Sequence, residues 1–342
     1  MLFLALLFAL RLTPDAPGAP LKQPQLAVDG KTVALTYGVG NSVFFSRSDT
    51  AGRSFSAPVR VGDGVYLALG NHRGPRVAMV GDAVVVTAIT GAVRGKDGDV
   101  VSWRSVDGGR TWSAPTPVSG VPAAAREGLH GMAAGPGGRV WVVWLDLRDG
   151  AMRLYGALSK DAGKTWEQDR EIYASPDGHI CECCHPTPAI GAKGELYVMW
   201  RNWLGGSRDM YRAVSQDGKV WDVKKLGQGT WPLNACPMDG GGLGLDRQDR
   251  LHSAWRRDGV IYRTTSDGKE VAIGKGKNAA LAMAASGPVV AWQDGPSILV
   301  QAPGAKGPVV VGTGAFPVLA ASGDVVFGAW ESDGAISVER VR

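Results

Sequence analysis

The chain is built from short apolar runs, separated by polar turns, that fit β-strands better than helices. Seven of these runs share a pattern that ends in most copies on an aromatic residue: Thr32–Tyr37, Ala83–Ala88, Val140–Trp144, Leu196–Trp200, Leu251–Trp255, Val289–Trp292 and Val325–Trp330. No long apolar run with a period of 3.6 residues points to a helix. The pattern therefore predicts an all-β chain made of one repeated module.

A turn motif recurs in register with these strands. Ser105–Trp112 and Ser159–Trp166 both have the sequence Ser-x-Asp-x-Gly-x-Thr-Trp, and weaker copies occur at Ser48–Phe55, Ser215–Trp221 and Ser266–Gly268. In such a hairpin turn the Asp accepts backbone N–H bonds and the Gly supplies a positive φ. On these residues the chain resembles the Asp-box (BNR) repeat of the sialidase superfamily, whose members are β-propellers, over residues 25–270 at least.

The repeat count predicts the number of blades. The first five runs begin at residues 32, 83, 140, 196 and 251, and the last two at 289 and 325, so the final modules have shorter loops. We predict a single β-propeller domain over residues 21–342 with seven blades, the last completed by a strand from the N-terminal end. Six blades, as in sialidases, are the alternative.

Composition and charge support this prediction and exclude one class of partner. The 49 Gly, 20 Pro and 12 Trp residues suit many short strands, tight turns and aromatic packing between sheets. The net charge of +5 is spread over scattered Lys and Arg, without the clustered basic face that nucleic acid requires. A basic pocket for a small acid remains compatible with it.

The N-terminus predicts export. The apolar run Leu2–Leu10 has the length of a signal-peptide core and is too short to span a bilayer, and small residues follow it up to Pro20. We expect residues 1–20 to be a signal peptide or flexible N-terminus, the protein to be periplasmic or secreted, and no stable membrane span. Because the basic n-region is missing, a mispredicted start or a frayed terminus is the alternative.

Alternating strand direction sorts the loops of a propeller onto two faces. The Asp-box turns share one face, and we expect Asp107, Asp161 and Asp217 to be architectural there. Four aromatic residues each lie four positions before a box serine and are expected to pack on equivalent strands, with a tyrosine nucleophile as the alternative: Phe44, Tyr155, Tyr211 and Tyr262.

The segments that enter the innermost strands of modules two to five should meet on the opposite face, around the axial mouth: Asn71–Arg76, Arg126–His130, Cys181–Pro186 and Ala235–Gly242. This arrangement places Cys236 next to Cys181–Cys184.

The first functional hypothesis concerns arginines and carboxylates near this mouth. Six arginines are candidates to bind a substrate carboxylate: Arg73, Arg76, Arg148, Arg201, Arg208 and Arg256. The sialidase resemblance implies a glycoside hydrolase acting on acidic sugars, with Glu127, Asp146 and Asp209 as candidate catalytic acids. The Arg-Ile-Pro motif of sialidases is absent, and Gly74-Pro75-Arg76 replaces it loosely. The alternative is that these arginines are surface charges and salt bridges between blades.

The second hypothesis concerns the cysteines, three of which lie within four residues. Cys181, Cys183, Cys184, His185 and Cys236, with His130 as a further candidate, form a sulfur-rich set typical of copper(I) or zinc. Cys181-Glu-Cys-Cys184-His185 also satisfies the Cys-x-x-Cys-His motif that attaches c-type haem. The alternative without cofactor is a disulfide from Cys236 to Cys183 or Cys184.

A closer resemblance limits what the fold implies. The stretches Ile180–Pro186, Met199–Asn202, Arg208–Tyr211 and Cys236–Gly241 resemble bacterial exported proteins of unknown role that are labelled sialidase-like and carry Cys-x-Cys-Cys. One fold hosts many reactions. We therefore expect an exo-α-sialidase type hydrolase of a small acidic sugar or glycan, with a metal-bearing or haem-bearing propeller and a non-catalytic glycan-binding or protein-binding propeller as alternatives.

Overall fold

The computed structural model describes residues 10–13, 19–265 and 268–342. Within these residues the chain forms seven antiparallel sheets, and no helix is present. The innermost strand of each sheet contacts the innermost strands of its two neighbours, so the sheets close into a ring. The seven-bladed β-propeller predicted from the seven apolar runs is thus confirmed, and the six-bladed alternative is wrong.

Each blade contains four strands, which follow one another from the axis outwards. Blade 1 contains β2 (Lys22–Asp29), β3 (Thr32–Val39), β4 (Ser42–Ser48) and β5 (Val59–Asp63). Blade 2 contains β7 (Arg76–Val80), β8 (Ala83–Gly91), β9 (Asp99–Ser105) and β10 (Thr116–Pro117), and the short β6 (Tyr66–Leu67) also pairs with β8. Blade 3 contains β11 (His130–Ala134), β12 (Val140–Asp146), β13 (Arg153–Ser159) and β14 (Arg170–Tyr173).

The remaining blades follow the same order. Blade 4 contains β15 (Thr187–Ile190), β16 (Leu196–Arg201), β17 (Met210–Ser215) and β18 (Asp222–Lys225). Blade 5 contains β19 (Gly242–Leu245), β20 (Leu251–Arg257), β21 (Val260–Thr265) and β22 (Glu270–Lys275). Blade 6 contains β23 (Lys277–Ala284), β24 (Gly287–Asp294), β25 (Ser297–Gln301) and β26 (Val309–Thr313). Blade 7 contains β27 (Ala315–Ser322), β28 (Val325–Ser332), β29 (Ala335–Arg340) and, outermost, β1 (Leu10–Leu12).

The second strand of a blade lies between two strands and two neighbouring sheets, so its central residues are buried. β12 is buried at every position, whereas the outer strand β18 is mostly exposed. The aromatic residue of the second strand pairs directly with that of the third in four blades: Tyr37 with Phe44, Trp144 with Tyr155, Trp200 with Tyr211, and Trp255 with Tyr262. These cross-strand pairs give the four aromatic residues a packing role, as expected from their recurrence.

The Asp-box turns satisfy their own backbone. Asp107 Oδ1 accepts N–H bonds from Arg110 and Thr111 at 3.0 Å each, and Ser105 Oγ accepts the N–H of Gly109 at 2.8 Å. In the second strict copy, Asp161 Oδ1 accepts the N–H of Thr165 and Ser159 Oγ accepts that of Gly163, both at 2.9 Å. The box carboxylates therefore stabilise the conformation of these turns. The remnant box at Ser266 and Asp267 lies outside the described residues.

The N-terminal segment closes the ring. β1 runs antiparallel to β29, with Leu10 opposite Val338 and Leu12 opposite Ile336. Most of the expected signal peptide, residues 1–9 and 14–18, lies outside the described residues. Among the residues that the structure covers, no helix has the length and apolar character that would cross a membrane.

Two kinds of inner-strand entry shape the axial mouth. In blades 1, 6 and 7 a β-bulge puts Gln23, Asn278 and Phe316 in the left-handed region. In blades 2 to 5 long segments lead to the inner strands, and two of them meet where the ring of His72 stacks on that of His185 at 4.5 Å. The His72 ring also lies 5.2 Å from that of Phe316, so the entries of blades 2, 4 and 7 converge.

Candidate functional site

The three neighbouring cysteines lie in a tight turn just before β15. The backbone N–H of Cys181 donates to the carbonyl of Arg201 at 3.2 Å, which fixes this turn to the end of β16. Glu182 is exposed, whereas Cys181, Cys183 and Cys184 are buried, with at most 6% of each side chain accessible. The turn therefore directs all three sulfurs into the protein.

The three sulfurs form a compact group. The Sγ atom of Cys181 lies 3.7 Å from that of Cys183 and 3.5 Å from that of Cys184, and the three lie within 4.8 Å of one another. All four cysteines are free, so no disulfide competes for these atoms. Metal–sulfur bonds of about 2.3 Å place sulfur ligands roughly 3.8 Å apart in a tetrahedral site and 4.0 Å apart in a trigonal one. The observed spacing is close to both.

Hydrogen-bond donors surround the sulfur group. Arg208 Nη1 lies 3.0 Å from the Sγ of Cys181, and the backbone N–H of Asp239 lies 3.4 Å from the Sγ of Cys184. Hydrogen bonds with Cys183 and Cys184 hold the pKa of Cys181 well below its usual range, whereas burial is the main cause that raises the pKa of Cys184 to about 12. The surroundings thus stabilise negative charge on Cys181.

The entry segment of blade 5 covers this group. Met238 packs against the three cysteines in a left-handed backbone conformation (φ 56°), and Pro237 is buried beside it. Gly240 approaches the backbone so closely that a Cβ there would lie 2.1 Å from the carbonyl oxygen of His185. Cys236 is exposed and lies outside the compact group. This segment therefore places the thioether of Met238 against the three sulfurs, whereas the thiol of Cys236 is exposed to solvent.

Neither of the two candidate histidines belongs to the compact sulfur group. His185 Nε2 is 3.2 Å from the carbonyl of Gly241, and its Nδ1 is buried without a partner. His130 is buried, with Nε2 3.1 Å from Thr87 Oγ1. Desolvation by burial lowers the pKa of both rings well below the ordinary value. Both are therefore neutral imidazoles at neutral pH.

Asp146 and Arg148 belong to a buried ion-pair cluster in blade 3, on the side that faces blade 2. Arg148 Nε and Nη2 donate to the two oxygens of Asp146 at 2.9 and 2.8 Å, and Nη2 also donates to Asp169. Asp146 has no exposed side-chain area, and it accepts the indole N–H of Trp144 as well. Asp169, which no sequence pattern indicated, in turn accepts the backbone N–H of Gly120.

Blade 5 repeats this cluster, which identifies it as architecture. Arg257 pairs with Glu270 there, and Glu270 accepts the backbone N–H of Gln228 as Asp169 accepts that of Gly120. Each arginine lies over the tyrosine of its third strand, at 3.9 Å for Arg148 and 4.0 Å for Arg257. The ion pairs of Arg148 therefore lie within blade 3, unlike the salt bridges between blades of the alternative prediction.

Three other candidate arginines bind groups of their own chain. Arg201 is buried and donates to the carbonyls of Asp239, Arg208 and Arg256. Arg256 lies with its guanidinium 5.3 Å from the Trp231 ring centre. Arg208 donates to the carbonyl of Leu233 as well as to Cys181. The structure thus groups Arg201, Arg208 and Arg256 around the cysteine turn and the blade 5 segment.

The last two candidate arginines lie in the entry segment of blade 2. Arg73 Nε donates to the carbonyl of Glu127 at 2.5 Å and its Nη2 lies 3.7 Å from the Glu127 carboxylate. Arg76 donates to the carbonyls of His72, Gly74 and Pro75. Asp209, the third candidate acid, accepts from Thr230 Oγ1 and from the N–H of Trp231, and pairs with Lys225 at 2.8 Å.

The three candidate acids therefore differ in accessibility. The Asp146 and Asp209 side chains are 0% and 10% exposed and bound to partners, whereas that of Glu127 is 33% exposed.

Several solved structures share the fold over nearly the whole chain. The α-L-arabinanase of Penicillium chrysogenum in complex with arabinobiose is 13% identical, with a TM-score of 0.54, over 97% of this chain and 96% of that one. The virginiamycin B lyase of Staphylococcus aureus is 16% identical, with a TM-score of 0.58, over 98% of this chain and 99% of that one. YCF48 bound to D1 peptide is 13% identical, with a TM-score of 0.57, over 100% and 97%. These identities show a shared fold.

Sequence comparison identifies the family. No curated protein sequence matches the chain. Residues 40–235 match the family described as a BNR repeat-like domain. Because this match covers more than half of the 342 residues, the chain belongs to the BNR repeat-like domain family.

Proposed function

We propose that this protein binds a soft metal ion, copper(I), through Cys181, Cys183 and Cys184 at the axial mouth of the propeller. The observation that carries the proposal is the compact group of three buried sulfurs within 4.8 Å of one another. Three buried thiols this close together point to a shared ligand. Metal–sulfur bonds of about 2.3 Å would require small shifts of the three sulfur atoms.

The surroundings favour copper(I) over zinc. Structural zinc sites close with four ligands from Cys and His, and neither candidate histidine belongs to the sulfur group. Copper(I) favours soft ligands, and the thioether of Met238 is the soft group packed against the three thiols. A copper(I) ion with three thiolates carries an excess of negative charge, and the Arg208 guanidinium beside Cys181 offsets part of it.

The same geometry argues against covalent haem. A c-type haem needs Cys181 and Cys184 to reach separate vinyl groups of one macrocycle, whereas their sulfurs lie 3.5 Å apart in a buried group. A small ion suits this spacing better.

We further propose that the protein is exported to the periplasm or secreted. The apolar run Leu2–Leu10 supports this proposal. Free thiols tend to oxidise in those compartments. A bound metal ion would keep the three cysteines from forming disulfides.

Anaerobic titration with copper(I) against a colorimetric chelator tests the metal proposal. We expect one ion per chain, and we expect Cys181→Ser, Cys183→Ser and Cys184→Ser each to weaken binding by at least about tenfold. Cys236→Ser is the matched control and should bind as the wild type does, because its thiol is exposed and lies outside the group. Equal loss in Cys236→Ser, or X-ray absorption showing no copper–sulfur bonds, would refute the proposed ligand set.

A second candidate is hydrolysis of an acidic sugar, of the exo-α-sialidase type, at the same mouth. It is favoured by Glu127, whose side chain is 33% exposed beside Arg73, and by membership of the BNR repeat-like domain family. Among the solved structures with this fold, one is an arabinanase complexed with arabinobiose. Fluorogenic sialosides and arabinosides test it. Turnover that disappears in Glu127→Gln and persists in Cys184→Ser would establish it, and absence of turnover in the wild type would remove it.

A further inference from the structure

We propose that Cys181 and Cys184 form a reversible disulfide when no metal ion is bound, and that this disulfide closes the copper site. The disulfide itself follows from the geometry of the cysteine turn. Its effect on copper rests on the function proposed above, because the bond removes two of the three sulfur ligands. The co-reactant is a second disulfide, which is reduced to two thiols in the exchange.

The turn places these two cysteines at a suitable separation. Cys181 and Cys184 flank the turn residues Glu182 and Cys183. The first and fourth Cα atoms of a turn lie less than about 7 Å apart, which overlaps the range of roughly 4.4–6.8 Å found across disulfides. The two Sγ atoms lie 3.5 Å apart, so a bond of about 2.0 Å requires an approach of about 1.5 Å. Rotation of the two side chains can supply this movement.

The other cysteine pairs fit a disulfide less well. Cys183 and Cys184 are neighbours in the chain, and their Cα atoms, about 3.8 Å apart, are closer than disulfides allow. The Sγ of Cys183 lies 3.7 Å from that of Cys181, farther than the Sγ of Cys184. Cys236 is exposed and lies outside the compact group. The geometry therefore favours the bond between Cys181 and Cys184.

Cys181 is the sulfur prepared to react first. Arg208 Nη1 lies 3.0 Å from its Sγ and favours the thiolate, which is the nucleophile of thiol–disulfide exchange. This thiolate attacks one sulfur of the oxidant disulfide and releases the other as a thiolate. Cys184 then loses its proton and attacks the Cys181 sulfur, which releases the second thiolate. Two electrons pass to the oxidant, and the protons of the two cysteines end on its thiols.

The segment that covers the sulfurs must move to admit an oxidant, and its contacts allow this. Residues 234–236 are exposed. Within the part of the chain that the structure describes, no hydrogen bond involves a residue of 234–238, whereas Leu233 and Asp239 on either side are hydrogen-bonded. Met238 packs on the sulfurs in a left-handed conformation that is strained for a residue other than glycine. The cover can therefore open without breaking hydrogen bonds.

Oxidation of the metal-free full chain by glutathione disulfide, in the absence of oxygen, tests the proposal. The remaining thiols are alkylated under denaturing conditions and counted by intact-protein mass spectrometry. In Cys236→Ser, which lacks the exposed thiol, we expect three reactive thiols to fall to one, and peptide mapping to join Cys181 to Cys184. Cys183→Ser should form the same bond, whereas Cys181→Ser and Cys184→Ser should lose thiols at least about tenfold more slowly.

A copper(I) titration of the oxidised Cys236→Ser chain tests the closing of the site. We expect binding at least about tenfold weaker than in the reduced chain, because two soft ligands are lost, and recovery after reduction by dithiothreitol and its removal. Three thiols that stay reactive, a disulfide that includes Cys183, or equal copper affinity before and after oxidation would overturn the proposal. The expected disulfide in a chain that binds no copper(I) when reduced would refute the copper site and leave the disulfide standing.

Discussion

Replacing Arg148 with Gln should strongly destabilise the propeller, because it removes the one cation between two buried carboxylates. The side chains of Asp146 and Asp169 are 0% and 3% exposed, and that of Arg148 is 14% exposed. Burial alone would lower the pKa of Arg148, but the hydrogen bonds that it donates to Asp146 and Asp169 raise the pKa above its ordinary value. The folded state therefore depends on the charged guanidinium.

The magnitude follows from the charges that remain. Removing one partner of a buried ion pair costs about 3–5 kcal/mol, against a total stability of about 5–15 kcal/mol. At roughly 2 °C per kcal/mol for a chain of this size, we expect the melting temperature to fall by about 6–10 °C. Asp169→Asn should cost less, about 1–2 kcal/mol, because Arg148 and Asp146 remain as a neutral pair.

Urea unfolding followed by tryptophan fluorescence measures these differences. Exposed Arg94→Gln is the matched control and should stay within about 0.5 kcal/mol of the wild type. A stability of Arg148→Gln within 1 kcal/mol of the wild type, or a cost for Asp169→Asn as large as that for Arg148→Gln, would refute this account of the cluster. A fully stable Arg148→Gln that had lost sugar binding would instead support the substrate-binding hypothesis.

Three further predictions concern stability. Glu270→Gln should cost about 3 kcal/mol, more than Asp169→Asn, because the blade 5 pair contains a single carboxylate and the buried arginine is left unpaired. Gly109→Ala should lower the urea midpoint markedly, since a Cβ there would lie 2.1 Å from the ring of Phe45, whereas Gly81→Ala meets no atom within 4 Å and should show only the strain of its positive φ. Burial would raise the pKa of Asp161, but hydrogen bonds in the box turn lower it to about 2. The stabilising contribution of the Asp161 carboxylate is therefore present above about pH 4 and is lost as the pH falls towards 2. In that window the urea midpoint of the wild type should fall towards that of Asp161→Asn.

The architecture was predictable because it follows from local patterns. Each apolar run from Thr32–Tyr37 to Val325–Trp330 became the second strand of a blade, since a strand between two sheets must be apolar on both faces. The Asp-box turn has a fixed hydrogen-bond pattern within a few residues. The compact cysteine turn was likewise visible in the sequence.

The partners of the charged residues were not predictable, because they depend on side-chain directions across blades. Arg201 appeared to be a ligand for a substrate carboxylate, yet its donors are bound to backbone carbonyls from two blades. Asp169 gave no signal because it follows a box turn, a region expected to be architectural. Cys236 is exposed and Met238 has a left-handed backbone conformation, and sequence periodicity indicates neither.

Because β1 pairs with β29, cleavage of the proposed N-terminal leader would change blade 7. Cleavage near residue 20, where the expected leader ends, would remove Leu10–Leu12 and strip β29 of its outer neighbour. The backbone N–H and C=O groups freed in this way form a template onto which another chain can add a strand. Such cleavage would leave blade 7 with an unpaired outer strand at which another chain could bind.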